Sequence, residues 1–189
     1  MSGAFFRAQA LIRERLAVQE EPVIVALEGG AATGKTTLAA ALSAAFQAPV
    51  IAMDDFFLPP ALRIPQRLAQ PGGNIHYERF DAEVAAPLRA GVPFSYRAYD
   101  CRAGAYLKEK RVERGPLVLV EGVYSLHPQY QDIYTLRLLL RTAPQIQDAR
   151  LRARGDRLYR LFQERWLPLE QSYFAARDIP SLCDAVLDT

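Results

Sequence analysis

Residues 29–36 read Gly-Gly-Ala-Ala-Thr-Gly-Lys-Thr and stand directly behind the apolar run Val23-Ile24-Val25-Ala26-Leu27. The spacing fits a loop that wraps a polyphosphate, with Gly29, Gly34, Lys35 and Thr36 in register and Gly30, Ala31, Ala32 and Thr33 between them. Its glycines let backbone N–H groups converge on phosphate oxygens. A helix behind it, starting near Thr37, would aim its positive end at the same anion. Lys35 would reach the terminal phosphates, and the Thr36 hydroxyl would bind Mg²⁺. Composition alone would produce this pattern in about one such chain per thousand, so the loop is read as a nucleotide site.

Asp54 and Asp55 follow a second short apolar stretch, and Glu121 closes a third, Leu117-Val118-Leu119-Val120. Phosphoryl transfer needs metal-held phosphates and a group that takes the attacking hydroxyl's proton. Asp54 suits the second role and can also reach Mg²⁺ through water. Glu121 is the best available partner for the metal, since no Asp closes an apolar strand in the usual second-motif style. The structural alternatives are a solvated turn for Asp54-Asp55 and a capping carboxylate for Glu121. Between 141 and 165 the chain carries Arg141, Arg150, Arg152, Arg154, Arg157, Arg160 and Arg165. On one continuous helix Arg150, Arg154 and Arg157 share a face, from which they could hold ATP. Arg154 is the candidate for stabilising charge on the transferring group. Gly155 would let the segment bend as a lid over about 150–160.

These groups need a scaffold that brings strand ends together. Continuous apolar strands at 23–27, 48–53, 117–120, 134–140 and 185–187 alternate with helical patterns near 35–47, 81–90, 143–154 and 157–177. That alternation predicts an α/β fold, a five-stranded parallel sheet covered by helices on both faces. In such sheets ligands bind beyond the carboxyl ends of the strands. Phe94 to Tyr99 and Val112-Glu113 read instead as a small antiparallel hairpin beside the sheet. Residues 58–73 hold four Pro and two Gly and are too long for a plain connection. The first residues form an amphipathic helix pattern that would pack on the body.

The bulk numbers exclude other classes. The 189 residues suit one domain with a small lid. A net charge of +2 gives no field for nucleic acid, and no apolar run nears a membrane span. Cys101 and Cys183 match no metal spacing, which fits reduced thiols and a cytoplasmic location. His76 and His127 likewise lack metal-spaced partners. The oligomeric state is left open, a homo-oligomer included.

Taken together these residues resemble the uridine kinase-like P-loop kinases, which include uridine-cytidine kinases, nicotinamide riboside kinases, phosphoribulokinases and one class of pantothenate kinases. The likeness runs from about Val23 to Leu187. It rests on Gly29–Thr36, Asp54-Asp55-Phe56-Phe57, a hairpin over Tyr96–Val112, Val120-Glu121-Gly122, Arg150–Arg157 and Cys183-Asp184-Ala185-Val186. The resemblance implies a P-loop three-layer sandwich with a hairpin insertion and an Arg-rich lid. It implies transfer of the ATP γ-phosphate to a small-molecule hydroxyl, with Asp54 as general base and Glu121 near Mg²⁺. Phe80-Asp81 and Tyr99-Asp100 match short acceptor-side motifs of that family. An acceptor-side segment of about 56–113 then offers Phe56, Tyr77, Asp81, Tyr99 and Arg102 to the acceptor, a nucleoside or other ribose-bearing compound. The stretch Cys101-Arg102-Ala103-Gly104 lacks the His with which uridine-cytidine kinases read the base. Pantothenate, a sugar or a sugar phosphate are alternative acceptors. A P-loop ATPase or switch acting on a protein partner is the alternative of another class.

Overall fold

The computed structural model describes residues 3–189. Five parallel strands form the central sheet: β1 (Val23–Glu28), β2 (Val50–Ala52), β5 (Leu117–Glu121), β6 (Leu136–Arg141) and β7 (Ala185–Asp188). Their spatial order is β2-β5-β1-β6-β7. Every residue of β1 and of β5 is buried, as expected of strands covered on both faces. Side chains alternate between two cores. Val23, Val25 and Leu27 face one core with Leu117, Leu119, Leu136 and Leu138. Ile24 and Ala26 face the other with Val118, Val120 and an aromatic group that includes Phe56, Phe80, Tyr130 and Tyr173.

The expected N-terminal helix is α1 (Gly3–Val18), and it buries Ala4, Phe5, Ala8 and Ile12 against the body. It shares that face with α2 (Lys35–Phe46), which springs from the glycine-rich loop. The proline-rich stretch is not structureless. It holds a 3-10 turn at Pro60–Leu62 and a short helix, α3 (Pro65–Leu68). The helix expected at 81–90 starts earlier. It runs as α4 (Tyr77–Phe80), a π-helical turn at Asp81–Ala85 and α5 (Ala86–Ala90).

The hairpin pairs β3 (Phe94–Asp100) with β4 (Ala105–Val112). The second strand is thus far longer than the Val112-Glu113 expected. All of β4 except Val112 is exposed, so neither of its faces left an apolar alternation to read.

The arginine segment breaks at Gly155, where the sequence placed a bend, and its second part is itself divided. It is α6 (Pro144–Arg152), then α7 (Asp156–Leu161), a π-helical turn at Phe162–Trp166 and α8 (Leu167–Ala176). Gly155 interrupts it at φ 94, ψ 151. The single helical face expected for Arg150, Arg154 and Arg157 therefore does not exist. Among the described residues no helix is long and apolar enough to cross a membrane.

Candidate active site

Register fixes the site. Leu27 of β1 and Ala52 of β2 both stand level with Glu121 of β5. The next residues along each strand therefore emerge at one edge, which gathers the glycine-rich loop, Asp54 and Glu121. A crevice of about 870 Å³ opens there, a size that suits a small-molecule site. It is lined by Ala31, Ala32, Gly34, Lys35, Thr36 and Thr37 from the loop and α2, and by Asp54, Arg102, Glu121, Arg150 and Arg154.

The loop is braced from outside by its carbonyls. Gln147 Nε2 donates to Ala31 O at 2.8 Å, Arg150 Nη1 to Ala32 O at 3.1 Å, and Thr189 Oγ1 to Thr33 O at 2.8 Å. Lys35 Nζ donates to Gly30 O at 2.8 Å. The N–H groups of Gly29, Ala31 and Thr33 are taken by Glu28, Glu170 and Gly30, which leaves those nearer α2 for an anion. At Gly29 (φ 149) a Cβ would lie 2.5 Å from Leu140 O, so only glycine lets the loop leave the sheet here.

Thr36 Oγ1 donates to Glu121 Oε1 at 3.0 Å. This joins two hard oxygens from different elements at the mouth of the loop. Burial pushes the Glu121 carboxyl up, opposed by Lys35 and by the Thr36 bond. Among the described residues no group of three or more His, Cys, Asp or Glu is placed to hold a metal. The donor set fits a Mg²⁺ that arrives with phosphate oxygens and keeps its waters, which is how that ion prefers to bind.

The two neighbouring aspartates part ways. Asp55 accepts from Tyr96 OH at 3.1 Å and from Lys110 Nζ at 2.7 Å, so the hairpin holds it. The Asp54 side chain has no hydrogen-bond partner among the described residues and lines the crevice. Water reaches its side chain, yet protein surrounds it at the crevice floor. That desolvation raises its carboxyl above the ordinary range, with Lys35 and Arg154 pulling down and Asp55 pushing up.

Several expected acceptor-side residues stand elsewhere. Residues 53–56 form a 3-10 turn, and three residues per turn set Met53 and Phe56 on the same side. Both are fully buried, and Phe56 stacks on Tyr96 with ring centroids 5.2 Å apart. Phe57, not Phe56, lines the crevice beside Asp54. Tyr77 is buried against His127, with centroids 4.1 Å apart. Asp81 is held by Arg89 at 3.0 Å, and Tyr99 is buried against Tyr106. Arg157 lies past the Gly155 break and is absent from the crevice lining. Gly30, Gly29 and Thr33 shape the loop from behind rather than lining the crevice.

Sequence reasoning missed Glu28. It is fully buried and accepts hydrogen bonds from the N–H groups of Gly29 (2.9 Å), Tyr124 (3.2 Å) and Leu126 (3.0 Å). Ser125 Oγ (3.5 Å) and Tyr173 OH (3.1 Å) also donate to it. It thus ties the end of β1 to the segment after β5. An acid directly before the loop glycine was a signal available in the sequence. Glu170, Gln147 and Thr189 were missed too, and nothing local marked them.

No protein-family model matches the chain. Among solved structures it is similar to a putative fructose transport system kinase from Silicibacter sp. TM1040, at 23% identity over 98% of this chain and 99% of that one, with a TM-score of 0.75. It is also similar to a possible uridine kinase from Bacillus stearothermophilus, at 18% identity over 96% and 97%, with a TM-score of 0.72. At these identities the likeness is one of fold. The fold and the glycine-rich loop together define a P-loop architecture, a three-layer α/β sandwich with a phosphate loop behind its first strand.

Proposed function

We propose that the protein is an ATP-dependent kinase that transfers the γ-phosphoryl group to a hydroxyl of a small molecule. The observation that carries this reading is one crevice shared by the phosphate loop, the Thr36–Glu121 pair and a carboxylate, Asp54, with no hydrogen-bond partner among the described residues. A nucleoside or other ribose-bearing compound is the favoured acceptor class, in keeping with the uridine kinase-like fold.

In this reading the loop N–H groups and Lys35 hold the triphosphate. Thr36 and Glu121, with Asp54 through water, would hold Mg²⁺, whose charge offsets that of the phosphates. Asp54 takes the proton of the acceptor hydroxyl as that oxygen bonds to the γ-phosphorus. The bond from phosphorus to the ADP oxygen breaks, and ADP leaves. Burial in the crevice and Asp55 raise the Asp54 carboxyl above its ordinary value, which makes it a stronger base than a free aspartate. Arg150 and Arg154 both line the crevice from the stretch before the Gly155 bend and would stabilise charge on the transferring group. Residues of about 150–160 then serve as the lid, and about 56–113 as the acceptor side of the same kinase domain.

The test is an ADP-release assay across nucleosides, sugars, sugar phosphates and pantothenate. ADP release that depends on one acceptor supports the reading and names the acceptor. Slow hydrolysis indifferent to every acceptor would favour an ATPase or switch module. A Lys35→Met variant with unchanged ATP consumption would overturn the site altogether.

A further inference from the structure

The peptide unit of Ala31 is gripped on both sides. Its N–H donates to Glu170 Oε2 at 2.8 Å, and its C=O accepts from Gln147 Nε2 at 2.8 Å. Gln147 belongs to α6, before the Gly155 bend, and Glu170 to α8, after it. The same two side chains crowd Gly30, where a Cβ would lie 3.3 Å from Gln147 Nε2 and 3.4 Å from Glu170 Oε2. Glu170 is nearly fully buried, yet it lines the crevice with Lys35 and Asp54. Both flanks of the bend at Gly155 are thereby anchored on one residue of the phosphate loop.

We propose that Glu170 is a positioning residue, which with Gln147 clamps Ala31 so that the phosphate loop and the arginine segment keep a fixed relation. This rests on the reading of the crevice as a nucleotide site. Ionised or protonated, its Oε2 accepts the Ala31 N–H, so the clamp does not depend on its charge. It also faces other charges. Burial pushes its carboxyl up to about 7, opposed by the Ala31 N–H and by Lys35 at the start of α2. Asp54 after β2 and Glu28 at the end of β1 push it further up. Tyr124 after β5 also feels it, Gln147 on α6 is neutral, and Arg150 and Arg154 line the crevice beyond. A triphosphate adds negative charge beside it, so binding takes up a proton near neutral pH.

The experiment is calorimetric titration of a non-hydrolysable ATP analogue with Mg²⁺ at pH 6, 7 and 8. It compares the parent, E170Q, E170A and Q147A, with a melting curve for each. E170Q keeps an acceptor oxygen. It should bind at pH 6 within about threefold of the parent and lose the parent's weakening between pH 6 and 8. E170A should bind about tenfold more weakly at every pH, and Q147A several-fold more weakly. Should E170A fail to fold, Q147A and E170Q carry the test. An E170A or Q147A variant that melts differently but binds as tightly as the parent overturns the clamp. So does an E170Q variant with the parent's pH dependence. A parent that binds no analogue overturns the nucleotide reading, and the clamp with it.

Discussion

Two strands of the sheet end in the same dipeptide, Glu-Gly, and the two acids do opposite things. Glu28-Gly29 closes β1 and Glu121-Gly122 closes β5, its neighbour. Glu28 is saturated by backbone N–H groups and hydroxyls from three segments. Glu121 has the Thr36 hydroxyl and faces the crevice. The difference comes from place. β1 is the central strand, so the turn after β5 and Tyr173 of α8 fold over its end and spend the carboxylate on structure. β5 lies one strand nearer the edge, with only β2 outside it, and its end opens towards the loop. Gly122 lets β5 approach the turn after β2, since at φ 144 a Cβ would lie 2.6 Å from Met53 Cβ. A buried acid is thus no mark of chemistry by itself. What counts is whether protein donors have already consumed it.

Asp54 and Asp55 repeat the contrast at one residue's spacing, and there the largest effect is expected. Asp54→Asn should cut turnover by about 10²–10⁴-fold while nucleotide still binds, because a base acts only in the transition state. Full activity in steady-state assays would remove Asp54 from that role.

Glu28→Ala should be the most damaging change to folding. It strands several buried donors and should cost about 3 kcal/mol or more. Denaturant unfolding measures this, and a loss below about 1 kcal/mol would show that its hydrogen bonds are replaceable by water. Glu121→Gln should behave inversely, keeping stability near the parent while turnover at limiting Mg²⁺ falls about 10–100-fold. Equal losses of stability in the two variants would erase the distinction drawn between the strand ends.

The smallest effect belongs to Asp55→Ala, which removes the Lys110 pair and the Tyr96 bond. Lys110 is half exposed, so about 1 kcal/mol of stability should go, with turnover little changed. A collapse in turnover would place Asp55, not Asp54, at the chemistry.

pH separates the acids further. The folded-state carboxyl of Glu170, at about 7, lies above its unfolded value of 4.5. The folded chain therefore binds more protons between those values, and this group's contribution to stability falls as pH rises from about 4.5 to 7. The parent should lose melting temperature relative to E170Q as pH rises across that window. A constant difference between the two would show that Glu170 does not titrate there.

Much of this was legible in the chain. The loop, the five apolar strands and the two crevice acids lie in short continuous segments, where spacing along the chain equals spacing in the structure. Other features were not legible. The reading chose Phe56 over Phe57, because it did not anticipate a turn of period three after β2. It grouped Arg157 with Arg150 and Arg154 on the face of a continuous helix, although the bend it expected at Gly155 sets Arg157 apart from the other two. Tyr77, Asp81 and Tyr99 looked like acceptor contacts but found partners in the aromatic core and in Arg89.

By itself the sequence determined that a phosphate loop follows a buried strand and that acids stand at the ends of two others, since local backbone geometry and apolar runs are enough for that. Only the tertiary structure decided which acids remain unspent and which distant side chains, Gln147, Glu170 and Thr189, grip the loop. Those outcomes depend on donors and carbonyls brought together from more than a hundred residues away. No pattern along the chain records such meetings.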